Sequence, residues 1–248
     1  MRRAGVTALA VGAMIWGLGA TLTASAQSLA PQPKSDTPAA PPKQEFRLPF
    51  SAPNIFNRTR PAADSSAAFD STQRALADRV SGYLTGVQQL VGDFVQIGPD
   101  GGRTDGTFYI QKPGRVRFEY NPPSPIDVIA DGTSVAVRDR NLNTQELYQL
   151  SQTPLRYLLA DRIDILRDTN LVTVSADDTF VTVVIEENQA LVGTSRLMIM
   201  FGAKDSQLKQ WTVRDPQGFD TSVAVYNLDS SKKPDPSLFK IDYERMIQ

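Results

Sequence analysis

The sequence predicts a mainly β fold: a strongly curved antiparallel sheet that closes partly on itself, an incomplete barrel with short helices in or over its mouth. Three observations predict it. The stretch from Asp105 to Gly132 alternates faces over three short runs joined by Pro and Gly, as an antiparallel meander does. The runs FVTVVI from Phe180 and LMIMF from Leu197 are apolar on both faces, so the central sheet must be covered on both sides. Few helical patterns exist to cover it, so the sheet has to curl around its own apolar face and enclose an apolar interior.

The elements follow in order. Arg2 and Arg3 precede an apolar run from Ala4 to Leu22, and Ala24, Ser25 and Ala26 form a small-residue cleavage site, so residues 1–26 read as a secretory signal peptide rather than a membrane span. Later runs all fall short of the roughly 20 apolar residues a transmembrane helix needs, so the expected product is soluble. Residues 27–68 are rich in Pro, Ala and Ser and too poor in apolar side chains to offset the entropy of ordering them; they read as a tether. Its apolar cluster of Phe46, Leu48, Phe50, Ile55 and Phe56 is the part suited to docking.

Residues 69–248 then form one folded domain, within the usual single-domain range. Asp70 and Ser71 can cap a helix whose apolar face is Leu76, Val80, Tyr83 and Leu84, with Gly86 at its end. Strand patterns cover Leu90–Ile97, Gly106–Gln111, Arg115–Tyr120, Ile126–Ala130, Ser134–Arg138 and Thr144–Leu150. Thr153 as cap and Pro154 at the first helical position introduce Leu155, Leu158 and Leu159 as a short apolar helix or lid. Strands resume at Leu171–Ser175, Phe180–Glu186, Ser195–Phe201, Lys209–Arg214, Asp220–Leu228 and Leu238–Ile241.

Composition excludes most chemistry. The chain has no histidine and no cysteine, which removes the usual general base, the thiol nucleophile, disulfides and most metal sites. It also leaves no cysteine to carry a lipid anchor after the leader. Without Arg2 and Arg3 there remain 24 Lys and Arg against 27 Asp and Glu, which is no nucleic-acid footprint. Ser206 with Lys209 and Ser230 with Lys233 match a Ser-x-x-Lys spacing but lie in polar, turn-like segments rather than on a helix. Asp177 with Asp178, and Glu186 with Glu187, read as solvated turns, since neighbours on a strand point to opposite faces. Gly101 and Gly102 read as a tight hairpin rather than a phosphate loop. Met198 and Met200 share one strand face and read as core, with an adaptable lipid surface as the alternative. The expectation is a protein that is not an enzyme and holds neither cofactor nor metal.

One feature of the meander stands out. Lys112 shares the parity of Phe108 and Ile110, which puts a cation on the apolar side just before Pro113. A charge there needs a partner. Phe94 and Gln96, Gly106, the Lys112-Pro113 pair, Phe118, the Asn121-Pro122-Pro123 break and the Asp131-Gly132 turn together resemble the periplasmic outer-membrane lipoprotein carriers of Gram-negative bacteria. Thr153-Pro154 with its leucines, and Asp215 with Gly218, fit as well, so the resemblance runs from Ser71 to Ile241.

That resemblance implies a half-barrel whose helical lid covers a cavity for the acyl chains of lipoproteins. Phe94, Phe108, Ile110, Val116, Phe118, Tyr120, Leu155, Leu158 and Leu159 are the expected cavity residues. It also implies that Lys112, where the family usually has Arg, latches the lid backbone near Leu155–Ala160, more weakly because an ammonium lacks the planar fork of a guanidinium. Ala136 and Arg138 stand where the family often has aromatics, and the long tether is unlike the family. The expected role is a soluble, monomeric periplasmic chaperone that shuttles acylated lipoproteins from an inner-membrane lipoprotein-release transporter to an outer-membrane acceptor. The alternative is a lipid-sensing or regulatory binding module of the same fold that does not transport.

Overall fold

The structure, a computed structural model, describes residues 69–189 and 193–244. The expected signal peptide and tether, with the apolar cluster from Phe46 to Phe56, lie outside them. All described residues belong to one compact unit.

Helix α1 spans Ser71–Gly86 and starts as its sequence dictates: Asp70 Oδ1 accepts the Gln73 backbone N–H at 2.8 Å, and Gln73 Oε1 accepts the Asp70 N–H at 3.1 Å. This reciprocal box satisfies two donors that would otherwise face water. Ala77, Val80 and Leu84 form its buried face, and Tyr83 meets Phe201 edge-on with ring centres 5.5 Å apart.

Eleven antiparallel strands follow: β1 Gln89–Ile97, β2 Arg103–Gln111, β3 Arg115–Tyr120, β4 Ile126–Asp131, β5 Ser134–Asp139, β6 Thr144–Gln149, β7 Leu171–Ala176, β8 Phe180–Gln189, β9 Gly193–Gly202, β10 Leu208–Arg214 and β11 Asp220–Asp229. They make one curved, unclosed sheet in the order β6-β5-β4-β3-β2-β1-β11-β10-β9-β8-β7, so the two edges are β6 and β7. Hairpins join neighbours throughout, except where β1 pairs with β11. Gly106 permits a close approach in the meander, since a Cβ there would lie 1.9 Å from the Glu119 carbonyl oxygen.

The connection from one edge to the other, residues 150–170, carries the lid. A 3-10 turn (Leu150–Gln152) leads into helix α2 (Leu155–Leu159), and a single turn of helix, α3 (Ile165–Asp168), precedes β7. Thr153 does not cap α2 as expected. Its hydroxyl donates back to the Leu150 carbonyl at 2.9 Å, because the 3-10 turn that ends there leaves that acceptor within reach, and Pro154 takes the cap position with no side-chain bond. The one-turn α3, capped by Asp164, was too short to show a helical period in the sequence.

One further expectation is corrected. Leu238–Ile241 is not a strand: Asp235 accepts the Ser237 N–H at 2.8 Å with Pro236 at the first helical position, and the chain makes a 3-10 turn, Pro236–Phe239, packed on β3 and β4. Met198 and Met200 are buried, as the core reading expects, while the interior cluster takes Leu197, Ile199 and Phe201 from the same strand. The methionines therefore face away from the interior and cannot line it.

Candidate functional site

The interior lies on the concave face of the sheet, where alternating residues converge. Phe94 of β1 and Phe118 of β3 pack edge-on at 5.2 Å, Phe94 meets Tyr120 at 5.0 Å, and Phe118 reaches Phe108 at 6.0 Å and Trp211 at 6.2 Å. Offset and edge-on rings at such distances add attraction beyond the area they bury. The Tyr120 hydroxyl donates to Gln96 Oε1 at 2.8 Å, which satisfies it in an apolar setting, and burial raises its pKa. Ile110 and Val116 face each other across β2 and β3 in the same cluster.

The structure thus brings all six expected strand residues together on one interior face. Leu155, Leu158 and Leu159 of α2 are buried against the same cluster. Beneath α2 is a small cavity of about 10 Å³ lined by Pro154, Leu155, Leu158, Leu197, Trp211 and Val213. That is room for one water at most, so the described state is lid-down and filled. Leu197, Trp211 and Val213 were not singled out from sequence, although their shared parity on β9 and β10 marks them as one face.

Two buried ionisable groups flank the lid. Lys112 is 7 % exposed, as its parity requires, but it does not latch α2. Its ammonium donates to the Leu84 carbonyl in α1, and burial pushes its pKa down to about 8 against the opposing pull of Asp161. At that corner the lid is tied instead by backbone: the Gly114 N–H donates to the Leu159 carbonyl at 2.9 Å. Gly114 has φ +73°, and a Cβ on it would meet Gly132 Cα at 2.7 Å, so this turn requires glycine. The segment after α2 is pinned to α1, where the Thr85 hydroxyl accepts the Ile163 N–H at 3.2 Å and the Ser81 hydroxyl accepts that of Ile165 at 3.0 Å.

The second group is Glu187, which sequence reasoning placed in a solvated turn. It is 7 % exposed and lies on the interior parity of β8, in line with Val181, Val183 and Ile185. Arg156 and Tyr157 of α2 both donate to its Oε1, and the Arg156 guanidinium also stacks 4.5 Å from the Tyr157 ring centre. Burial, and then the bond to and charge of Glu187, push the Tyr157 phenol up to about 12. The signal that could have found Glu187 was its parity, the same argument that found Lys112. By contrast Asp177 is a turn residue as expected, accepting the Thr179 and Phe180 N–H groups at 2.8 and 2.7 Å. The Ser206-Lys209 pair is no nucleophile either, since Lys209 binds Asp205 at 2.6 Å and Ser206 accepts from Arg79 at 2.7 Å.

An unclosed antiparallel sheet with a helical lid seated on an apolar interior defines an incomplete barrel, a half-barrel. The family model for the outer membrane lipoprotein carrier protein LolA matches residues 85–242, and the chain belongs to that family. An uncharacterized protein of Rickettsia prowazekii (strain Madrid E) is 29% identical over 86 residues, 35% of this chain and 40% of that protein, so the match spans less than half of the relative. Among solved structures the chain is similar to a LolA superfamily protein from Nitrosomonas europaea (11% identity, 67% of this chain and 98% of that one, TM-score 0.36). It is also similar to the Mycobacterium tuberculosis lipoprotein LppX (10%, 67% and 100%, TM-score 0.39). A further likeness is to the Pseudomonas aeruginosa MucA/MucB complex (13%, 70% and 62%, TM-score 0.38). Among the described residues no helix is long and apolar enough to cross a membrane.

Proposed function

We propose that this protein is a periplasmic chaperone that shields the acyl chains of lipoproteins and carries them from the inner to the outer membrane. Residues 1–26 would direct export, residues 27–68 would act as a tether, and the domain from residue 69 would take cargo from an inner-membrane release transporter and pass it to an outer-membrane acceptor. The observation that carries this reading is the lid. Three leucines of α2 are buried on the interior face of a sheet whose edges β6 and β7 do not pair, so displacing one short helix opens an apolar interior without breaking a strand.

Transfer energy supplies the rest. Each methylene moved from water into such an interior contributes about 0.8 kcal/mol, enough to hold an acyl chain that must displace the lid to enter. Phe94, Phe108, Ile110, Val116, Phe118 and Tyr120, with the three lid leucines, are the candidate contacts. A filled lid-down interior also suits the alternative, a module that senses lipid and does not transport it, and cargo transfer separates the two.

The protein purified from periplasm is analysed by mass spectrometry for bound lipid, then loaded with an acylated lipoprotein and mixed with acceptor vesicles. Stoichiometric acylated cargo that moves to the vesicles supports the carrier. Cargo that binds and stays supports the sensing module, and failure to bind any acyl chain rejects both.

A further inference from the structure

Glu187 is held by two donors that both belong to the lid, while the carboxylate itself belongs to β8. Glu187 stands opposite Ser195 of β9, and Leu197, two residues further along that strand on the same face, lines the cavity beneath α2. The carboxylate therefore borders the space that a lifted lid would open. When α2 moves away, Arg156 and Tyr157 leave with it and the carboxylate stays on the sheet.

Resting on the reading that acyl chains enter beneath α2, we propose that Glu187 selects the headgroup of the cargo: it accepts acyl chains whose head carries an N–H donor and rejects those whose head is an anion with no such donor. A buried carboxylate that loses its donors is costly until another donor replaces them. An amide or ammonium beside the acyl chain is such a replacement. A free fatty acid brings a second carboxylate instead. Arg156, the cation nearest that carboxylate, is already paired with Glu187, so drawing it away satisfies one anion by stripping the other, and like charges in a partly dry site repel.

The N–H donor has two sources, the peptide end of a lipoprotein and the ammonium of an aminophospholipid. The test uses protein exported with its own leader, purified from the periplasmic fraction and freed of lipid. Three probes sharing a palmitoyl chain are titrated by calorimetry: an N-palmitoyl dipeptide amide, palmitoyl lysophosphatidylethanolamine and palmitate. Wild type binds at least one donor-bearing probe more tightly than palmitate, by about tenfold or more. Tighter binding of the dipeptide names the lipoprotein end, and tighter binding of the lysophospholipid names the ammonium.

Glu187→Gln keeps the shape and an acceptor for Tyr157 but removes the charge, so it should bring palmitate to within about threefold of the donor-bearing probe. Arg156→Gln acts in the opposite sense: it leaves the carboxylate without its cation and should weaken palmitate further while the donor-bearing probe holds. A discrimination ratio unchanged in both variants overturns the role of Glu187. Binding of no probe by wild type instead rejects the acyl-carrying reading, and this inference with it.

Discussion

Lys112 and Glu187 are the same construction with opposite outcomes. Each is an ionisable residue at the end of a strand, on interior parity, buried beside the lid. Lys112 donates to a neutral carbonyl of α1, and its pKa falls to about 8 because burial outweighs the pull of Asp161. Glu187 meets a guanidinium and a phenol, both from α2. The difference teaches that what a buried charge does is set by the element that carries its partner. Lys112 is bonded to α1 and Glu187 to α2, so of the two only Glu187 takes its hydrogen-bond donors from the lid helix.

The comparison breaks most directly at α2. Arg156→Leu with Tyr157→Phe strips Glu187 of both donors, and a buried charge left unpaired costs about 3–5 kcal/mol. The cost should fall on the closed lid rather than on the sheet, so hydrogen exchange of the α2 amides should rise by two or more orders of magnitude while those of β1–β3 stay slow. Unchanged α2 exchange would show that Glu187 does not hold the lid.

Gly114→Ala probes the other corner, where the tie is backbone. Its positive φ and the 2.7 Å approach to Gly132 Cα make the substitution cost about 1–3 kcal/mol, read as a lower denaturation midpoint, and the exchange of Leu158 and Leu159 should rise with it. A fully stable variant would show that the 113–114 turn relaxes without moving the lid.

The smallest effect belongs to Lys112→Met. The folded protein releases the Lys112 proton near pH 8 and the unfolded chain near its ordinary value of 10.5, so between those pH values the unfolded state holds the extra proton and stability rises with pH. Tyr83, Tyr109, Tyr120, Tyr148, Tyr157 and Tyr243 are raised above 10.0 and act with the opposite sign as pH approaches that value, so the rise is read below about pH 9. Denaturant melts from about pH 8 to about pH 9 should show the rise in wild type and lose it in Lys112→Met, with α2 exchange changed by less than about twofold. A large acceleration of α2 would restore Lys112 as the latch.

The strands were legible because alternation over six or more residues has few other readings: GTFYIQ and RVRFEY each declare a face. The same parity argument found Lys112, and, applied to Val181, Val183, Ile185 and Glu187, it would have found the second buried charge. The glutamate pair looked like a turn only because β8 was ended at Glu186, whereas it runs to Gln189. Partner identity was not legible. Whether Lys112 reaches α1 or α2 depends on how two helices far apart in sequence meet at one rim, and no local pattern encodes that. Likewise the face of Met198 and Met200 is fixed by strand register, which the two-sided apolar run LMIMF leaves undetermined.

The strand order carries a consequence for how the chain comes together in time. β1, the first strand made, lies between β2 and β11, the last strand made. A chain emerging from its N-terminal end can pair β1 through β6 by successive hairpins, yet one edge of β1 stays open until β11 arrives. The contact that joins the two halves spans nearly the whole domain, from Phe94 to Val225, and such distant pairings form slowly because a long loop must close first. Synthesis can therefore finish before folding does, and a truncation that removes β11 would take away not an edge but the seam on which both halves depend.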